Sequence, residues 1–228
     1  MLRMTDILLV LALVFAVLDW IAVYPVPPRR KLEFIAKPLA TILLFAWYLL
    51  RVDLNRPALW FGLGLLFCIL GDIFMLWMDR LFIAGLLAFL VGHGFYIFGF
   101  IYPPPDAPLF WTLGLAFILA LGARRVLKRI IDGLIQQGKR RLALPVAIYG
   151  IVITLMLLSA MLTAFRVDWN TLSAALVGLG AFLFYISDIL LAFNKFVQPI
   201  NKGRVMNMAA YHLAQLAIIT GVVIQFGQ

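Results

Sequence analysis

Two aspartates stand near the ends of long apolar runs, Asp72 in "GDIFMLW" and Asp188 in "SDILLAF". They are among only ten acidic residues in the chain. A charged side chain inside a bilayer is costly, so its presence there points to function. Two carboxyl groups in one site suit acid–base chemistry: one donates a proton, and the other stabilises positive charge or activates water. Further polar side chains recur at helical spacing. Tyr185 and Asp188 are i,i+3, as are His93 and Tyr96; Tyr211 and Gln215 are i,i+4, and His212 precedes Gln215 by three. Each set can face one shared cavity, to which Lys37, Tyr149 and Asn194 are candidates to contribute.

The elements that hold these residues follow from composition. Of 228 residues, 65% are hydrophobic, and the mean hydropathy is +1.06. A soluble domain is roughly 45–50% apolar, so a polytopic membrane protein is expected and a soluble core is excluded. A span needs about 20 apolar residues. Eight segments qualify, near 5–24, 33–50, 58–77, 81–101, 108–123, 142–165, 172–193 and 205–226. The expected fold is therefore an all-α bundle of eight transmembrane helices, one domain over 1–228. The first run lacks a small-residue cleavage site and is too long for a signal-peptide core, so it reads as a retained span. Cys68 is the only cysteine, which excludes a disulfide or a thiolate metal cage.

Orientation follows from Lys and Arg in the connections. Fourteen lie on one side, from Arg29 to Arg204, against Arg3, Arg51, Arg56 and Arg166 on the other, with Lys37 inside a span. The richer side should be cytoplasmic and both termini outside, as in an integral, multi-pass protein of a bacterial inner membrane. The net charge of +9 then points to anionic lipid and not to nucleic acid, because the basic residues sit between spans. The basic stretch 124–141 reads as a cytoplasmic loop carrying a short amphipathic helix on the inner leaflet. A charged extension of the fifth span is the other reading.

At 1.5 Å per residue, Asp72 and Asp188 fall roughly 8–10 Å inside the cytoplasmic boundary. Lys37, Tyr149 and Tyr211 fall at a similar depth, His212 and Gln215 slightly deeper, His93 near the midplane and Asn194 at the rim. Plainer readings stand beside each. Lys37 is four residues from Glu33 and Asp188 seven from Lys195, so rim ion pairs are possible for both. His93 lies between glycines in "VGHGFY" and can serve helix packing. Asp19 reads as a rim residue. The halves also resemble one another, with "GDIFMLW" matching "SDILLAF", one histidine following each, and "AKPLATI" matching "ALPVAIY". This suggests two parallel four-helix repeats.

Six stretches in order resemble the YhhN family of membrane lysoplasmalogenases: "AKPL" at 36–39, "LGDIFML" at 70–76, "FIAGLLAFLVGHGFYI" at 82–97, "LPVAIYGIVITLMLLSA" at 144–160, "FYISDILLAFNKF" at 184–196 and "YHLAQLAI" at 211–218. The resemblance implies an eight-span hydrolase acting on the vinyl ether bond of lysoplasmalogens. It would release a fatty aldehyde and glycerophosphoethanolamine or glycerophosphocholine. On that reading Asp188 is the acid and Asp72 the carboxylate. Lys37 and Asn194 receive the phosphate of a lysophospholipid from the cytoplasmic leaflet. Tyr149, Tyr185, Tyr211, His93, His212 and Gln215 orient water and glycerol. No cofactor and no metal are expected. The rivals are a proton-coupled transporter or lipid flippase, and a metal hydrolase using Asp72, Asp188, His93 and His212.

The charge asymmetry makes a direct prediction. A periplasmic reporter fused after Gln228 should be active, and a cytoplasmic reporter at the same point silent. The reverse pattern would turn the bundle over and move the polar residues to the outer leaflet.

Overall fold

The computed structural model describes residues 5–55, 57–104 and 108–227. Arg3 and Arg56, two of the four basic residues on the sparse side, lie outside these. Eight helices follow in order: α1 Asp6–Val23, α2 Arg30–Leu49, α3 Ala58–Met75, α4 Met78–Ile101, α5 Leu109–Gln136, α6 Ala143–Leu162, α7 Thr171–Phe196 and α8 Gly203–Phe226. All are long and apolar enough to cross a membrane, α6 together with its short 3₁₀ flanks. The expected all-α, eight-helix bundle is what the chain forms, and it is an integral, multi-pass membrane protein.

The helices pack chiefly as successive antiparallel hairpins, α1 on α2, α3 on α4 and α7 on α8. In lipid, helices gain no hydrophobic drive toward each other, so close approach through small residues matters more. Gly64 and Gly92 meet across the α3–α4 seam, where a Cβ on either would stand 3.0–3.1 Å from the other's carbonyl oxygen. Gly180 does the same on the α7–α8 seam, where a Cβ would lie 2.8 Å from the Ala214 carbonyl oxygen. Pro145 sits in the first turn of α6, where its missing N–H costs nothing. Pro38 lies further inside α2, directly after Lys37.

For the basic stretch one reading is corrected, and the other, a charged extension of the fifth span, is what forms. The segment 124–136 is neither a loop nor a separate surface helix, because α5 runs unbroken from Leu109 to Gln136. Its basic half docks on the end of α7. Ile130, Gly133 and Leu134 are buried. Gly133 lies so near the Phe196 carbonyl that an added Cβ would come within 2.2 Å of its oxygen. The Gln137 amide donates to that same oxygen at 3.0 Å, satisfying a carbonyl that the helix end leaves open. The other half of α5, with Phe110, Phe117 and Ile118 exposed, has an apolar outer surface suited to lipid.

The seam glycines generate a paired prediction. Gly180→Leu should destabilise the protein by at least about 1–3 kcal/mol, the usual range for overpacking. Gly178→Leu, where a Cβ meets nothing within 4 Å, should leave it unchanged. Thermal unfolding in detergent measures both, and equal midpoints would show that the seam is not tight.

Candidate active site

Asp72 is fully buried on α3. A buried carboxylate needs partners, since isolated charge in a low-dielectric interior is strongly disfavoured. Two helices supply them. From α2, Thr41 donates its hydroxyl to Oδ2 at 2.7 Å. From α8, Tyr211 donates to the same oxygen at 2.6 Å. Lys37, 5% exposed, places Nζ 3.6 Å from Oδ1. Lys37 and Thr41 are i,i+4 on one face of α2, so a single helix brings both cation and hydroxyl. The rim pair considered for Lys37 does not form: Glu33 instead binds Arg204 at 2.5 Å and approaches Arg30 at 4.0 Å.

Asp188 on α7 is treated differently. It is half-buried and accepts a very short hydrogen bond from the Tyr149 hydroxyl on α6. Lys195 is not its partner; that ammonium lies over the Phe82 ring, 5.3 Å from its centroid. Lys37 remains within Coulombic reach of Asp188 as well as touching Asp72. The two halves thus use one device. In each, the aspartate of the third helix accepts a hydroxyl from the second, Thr41 to Asp72 and Tyr149 to Asp188.

Asp188 and Tyr149, with Tyr185, line an apolar cavity of about 720 Å³ between α5, α6 and α7. Arg124, Lys128 and Asp132 of the α5 extension also line it. A second cavity of about 270 Å³ is more polar, with Lys37 and Asn194 in its wall beside Arg30, Lys195 and Arg204. Asp72 lines neither cavity and stands behind Lys37. Asn194 also has a structural task, since its Oδ1 accepts from the Ile200 backbone N–H at 2.9 Å across the turn into α8.

The remaining candidates divide. The His93 ring packs at 4.6 Å on Phe184 and 5.5 Å on Tyr149, between centroids, so it backs the Tyr149 side. His212 accepts at Nδ1 from the Trp20 indole at 3.0 Å, which leaves Nε2 to carry the proton of a neutral ring. Gln215 accepts from Tyr96 at 2.8 Å and makes no hydrogen bond to either aspartate. The two histidines therefore face different surroundings, and among the described residues no three His, Cys, Asp or Glu gather where a metal could be held. Sequence reasoning missed Thr41, Trp20 and the true setting of Asp19. Thr41 could have been found from its i,i+4 relation to Lys37. Asp19 is not at the rim: it is fully buried, with Lys37 and Asp72 in Coulombic reach and neither oxygen hydrogen-bonded.

The Lys37–Asp72 pair predicts a double-mutant cycle. Lys37→Met should cost about 3–5 kcal/mol, because it strands a buried charge. Lys37→Met with Asp72→Leu should recover most of that loss. Detergent unfolding midpoints test this, and an additive double variant would show that the two do not act as a pair.

The model of the YhhN family matches residues 32–222. Lysoplasmalogenase TMEM86A of Homo sapiens is 32% identical over 164 residues, covering 70% of this chain and 63% of the relative. Lysoplasmalogenase TMEM86B of Homo sapiens is 31% identical over 157 residues, covering 68% and 60%. The mouse TMEM86B lysoplasmalogenase is 28% identical over 184 residues, covering 80% and 71%. The matches to the two human relatives thus span less than two thirds of those proteins' length. No solved structure matches the chain.

Proposed function

The chain belongs to the YhhN family, and from that premise we propose that it is a membrane hydrolase that cleaves the vinyl ether bond of lysoplasmalogens. The names of its relatives supply the substrate class. The observation that carries the reading in this chain is Asp188, a carboxyl group in the wall of an apolar cavity with one hydroxyl partner. Such a group meets the alkenyl chain of a lipid directly.

Cleavage begins when a carboxylic acid transfers its proton to the vinyl carbon remote from the ether oxygen. The π electrons form the new C–H bond, and the cation left on the adjacent carbon is shared with oxygen. Water adds to that carbon and loses a proton. The hemiacetal then collapses to an aldehyde and a free glycerol hydroxyl. Asp188 is the proton donor on this reading, and its conjugate base then receives the proton from water. Tyr149 fixes the carboxyl orientation. Asp72, with three partners, is the charge-paired member. It holds Lys37 toward the polar cavity, where the ammonium is shared between Asp72 and a substrate phosphate. Tyr211 and Thr41 anchor Asp72, while Tyr185 shares the cavity wall with Asp188. His93 backs Tyr149, and His212, Gln215 and Asn194 have supporting roles. The substrate enters from the cytoplasmic leaflet, and Arg124 and Lys128 favour anionic lipid near the cavity.

The test compares an alkenyl lysophospholipid with its saturated alkyl-ether analogue, measuring aldehyde. Release is expected from the first alone, since only the vinyl carbon accepts a proton. Asp188→Asn should lower turnover about 100-fold or more, the scale of general acid catalysis, in a protein that still unfolds cooperatively. Asp72→Asn is less clean, because it leaves Lys37 buried without its counter-charge. Near-normal turnover by a folded Asp188→Asn protein would remove Asp188 from the chemistry.

A further inference from the structure

The two cavities differ in lining but share a wall. Met75 and Leu191 are the residues that line both. Each stands one helical turn beyond an aspartate: Met75 is i+3 from Asp72, and Leu191 is i+3 from Asp188. Met75 rests on Gly85, where an added Cβ would come within 3.0–3.2 Å of its side chain. The partition thus includes these two side chains, one of them a flexible thioether with three rotatable bonds.

We propose that the two cavities are the two ends of one lipid-binding path, closed in this structure at Met75 and Leu191, which takes a single-chain zwitterionic phospholipid. This deepens the lysoplasmalogen reading and rests on it. The chain occupies the apolar cavity and the headgroup the polar one, so the first chain carbons cross the partition beside Asp188. Charge complementarity supports this occupant. The polar cavity carries both signs, as a zwitterion requires. Glu33 is already held by Arg204 and Arg30. Asp79 is exposed in the same cavity wall, forms no ion pair among the described residues and lies in Coulombic reach of Lys195. Lys37 and Lys195 therefore suit the phosphate, and Asp79 suits the headgroup ammonium. A second acyl chain has no second apolar cavity on this path.

Binding tests the path independently of hydrolysis. Three uncleavable probes are titrated into the purified protein: 1-O-alkyl lysophosphoethanolamine, the corresponding alkyl glycerophosphate without the amine, and glycerophosphoethanolamine without the chain. Asp79→Asn should weaken the first about tenfold, on the scale of one charge-assisted contact, and leave the second within about twofold. Leu191→Trp should weaken both lipids about tenfold or more and leave glycerophosphoethanolamine unaffected. Leu191→Ala, which cannot block, should bind both lipids at least as tightly as wild type. The path is overturned if Leu191→Trp binds the lipids normally, if Ala and Trp at 191 weaken them equally, if Asp79→Asn fails to discriminate the amine, or if wild type binds neither lipid. Wild type that binds as expected yet releases no aldehyde from the alkenyl substrate would remove the hydrolase reading and leave the path standing.

Discussion

The arrangement depends on satisfying one carboxyl group in an apolar interior. Asp72 cannot be left alone there, and the bundle meets the need with a cation and two hydroxyls from α2 and α8. That requirement fixes how these helices meet α3. It also aims Lys37, whose stem is buried while its ammonium contributes to the polar cavity wall. Stability and cavity geometry are thus one constraint, because the residue that pairs with Asp72 also lines the polar cavity.

Asp188 meets the opposite condition. It accepts from one hydroxyl, that of Tyr149, and has a cavity beside it, so it faces whatever enters there. Two aspartates in matching sequence settings therefore meet different surroundings, one enclosed by three partners and one open to a cavity. The difference arises from what the neighbouring helices bring. At the position where α2 offers Lys37 and Thr41, α6 offers Tyr149, and α5 adds a wall to the cavity without adding a counter-charge to Asp188.

The spans and the two aspartates were legible because membrane thickness and the cost of buried charge act on single segments. The partners were less legible, since spacing along one helix tells which residues share a face but not which helix that face meets. Tyr211 and Gln215 are i,i+4 and were expected together, yet Tyr211 reaches Asp72 while Gln215 meets Tyr96. Asp19 was misplaced for a related reason: distance from a helix end gives depth in the membrane, not distance from the bundle axis. For the basic half of α5 the amphipathic pattern was legible but its docking partner was not, so a helix lying on the membrane and an extension of the fifth span could not be told apart. Ile130, Gly133 and Leu134 lie on one face at helical spacing, and that face docks on Phe196.

The hairpin order also bears on assembly. Most packing joins neighbours in the chain, which close quickly because little loop entropy is lost. The bond from Tyr211 to Asp72 spans 139 positions, and α8 follows the other seven described helices in the chain. Until α8 docks, the carboxylate on α3 lacks one of its two hydroxyl donors. Any arrangement in which α8 is undocked therefore holds a buried carboxyl group short of one partner, and docking of α8 is what completes the surroundings of Asp72.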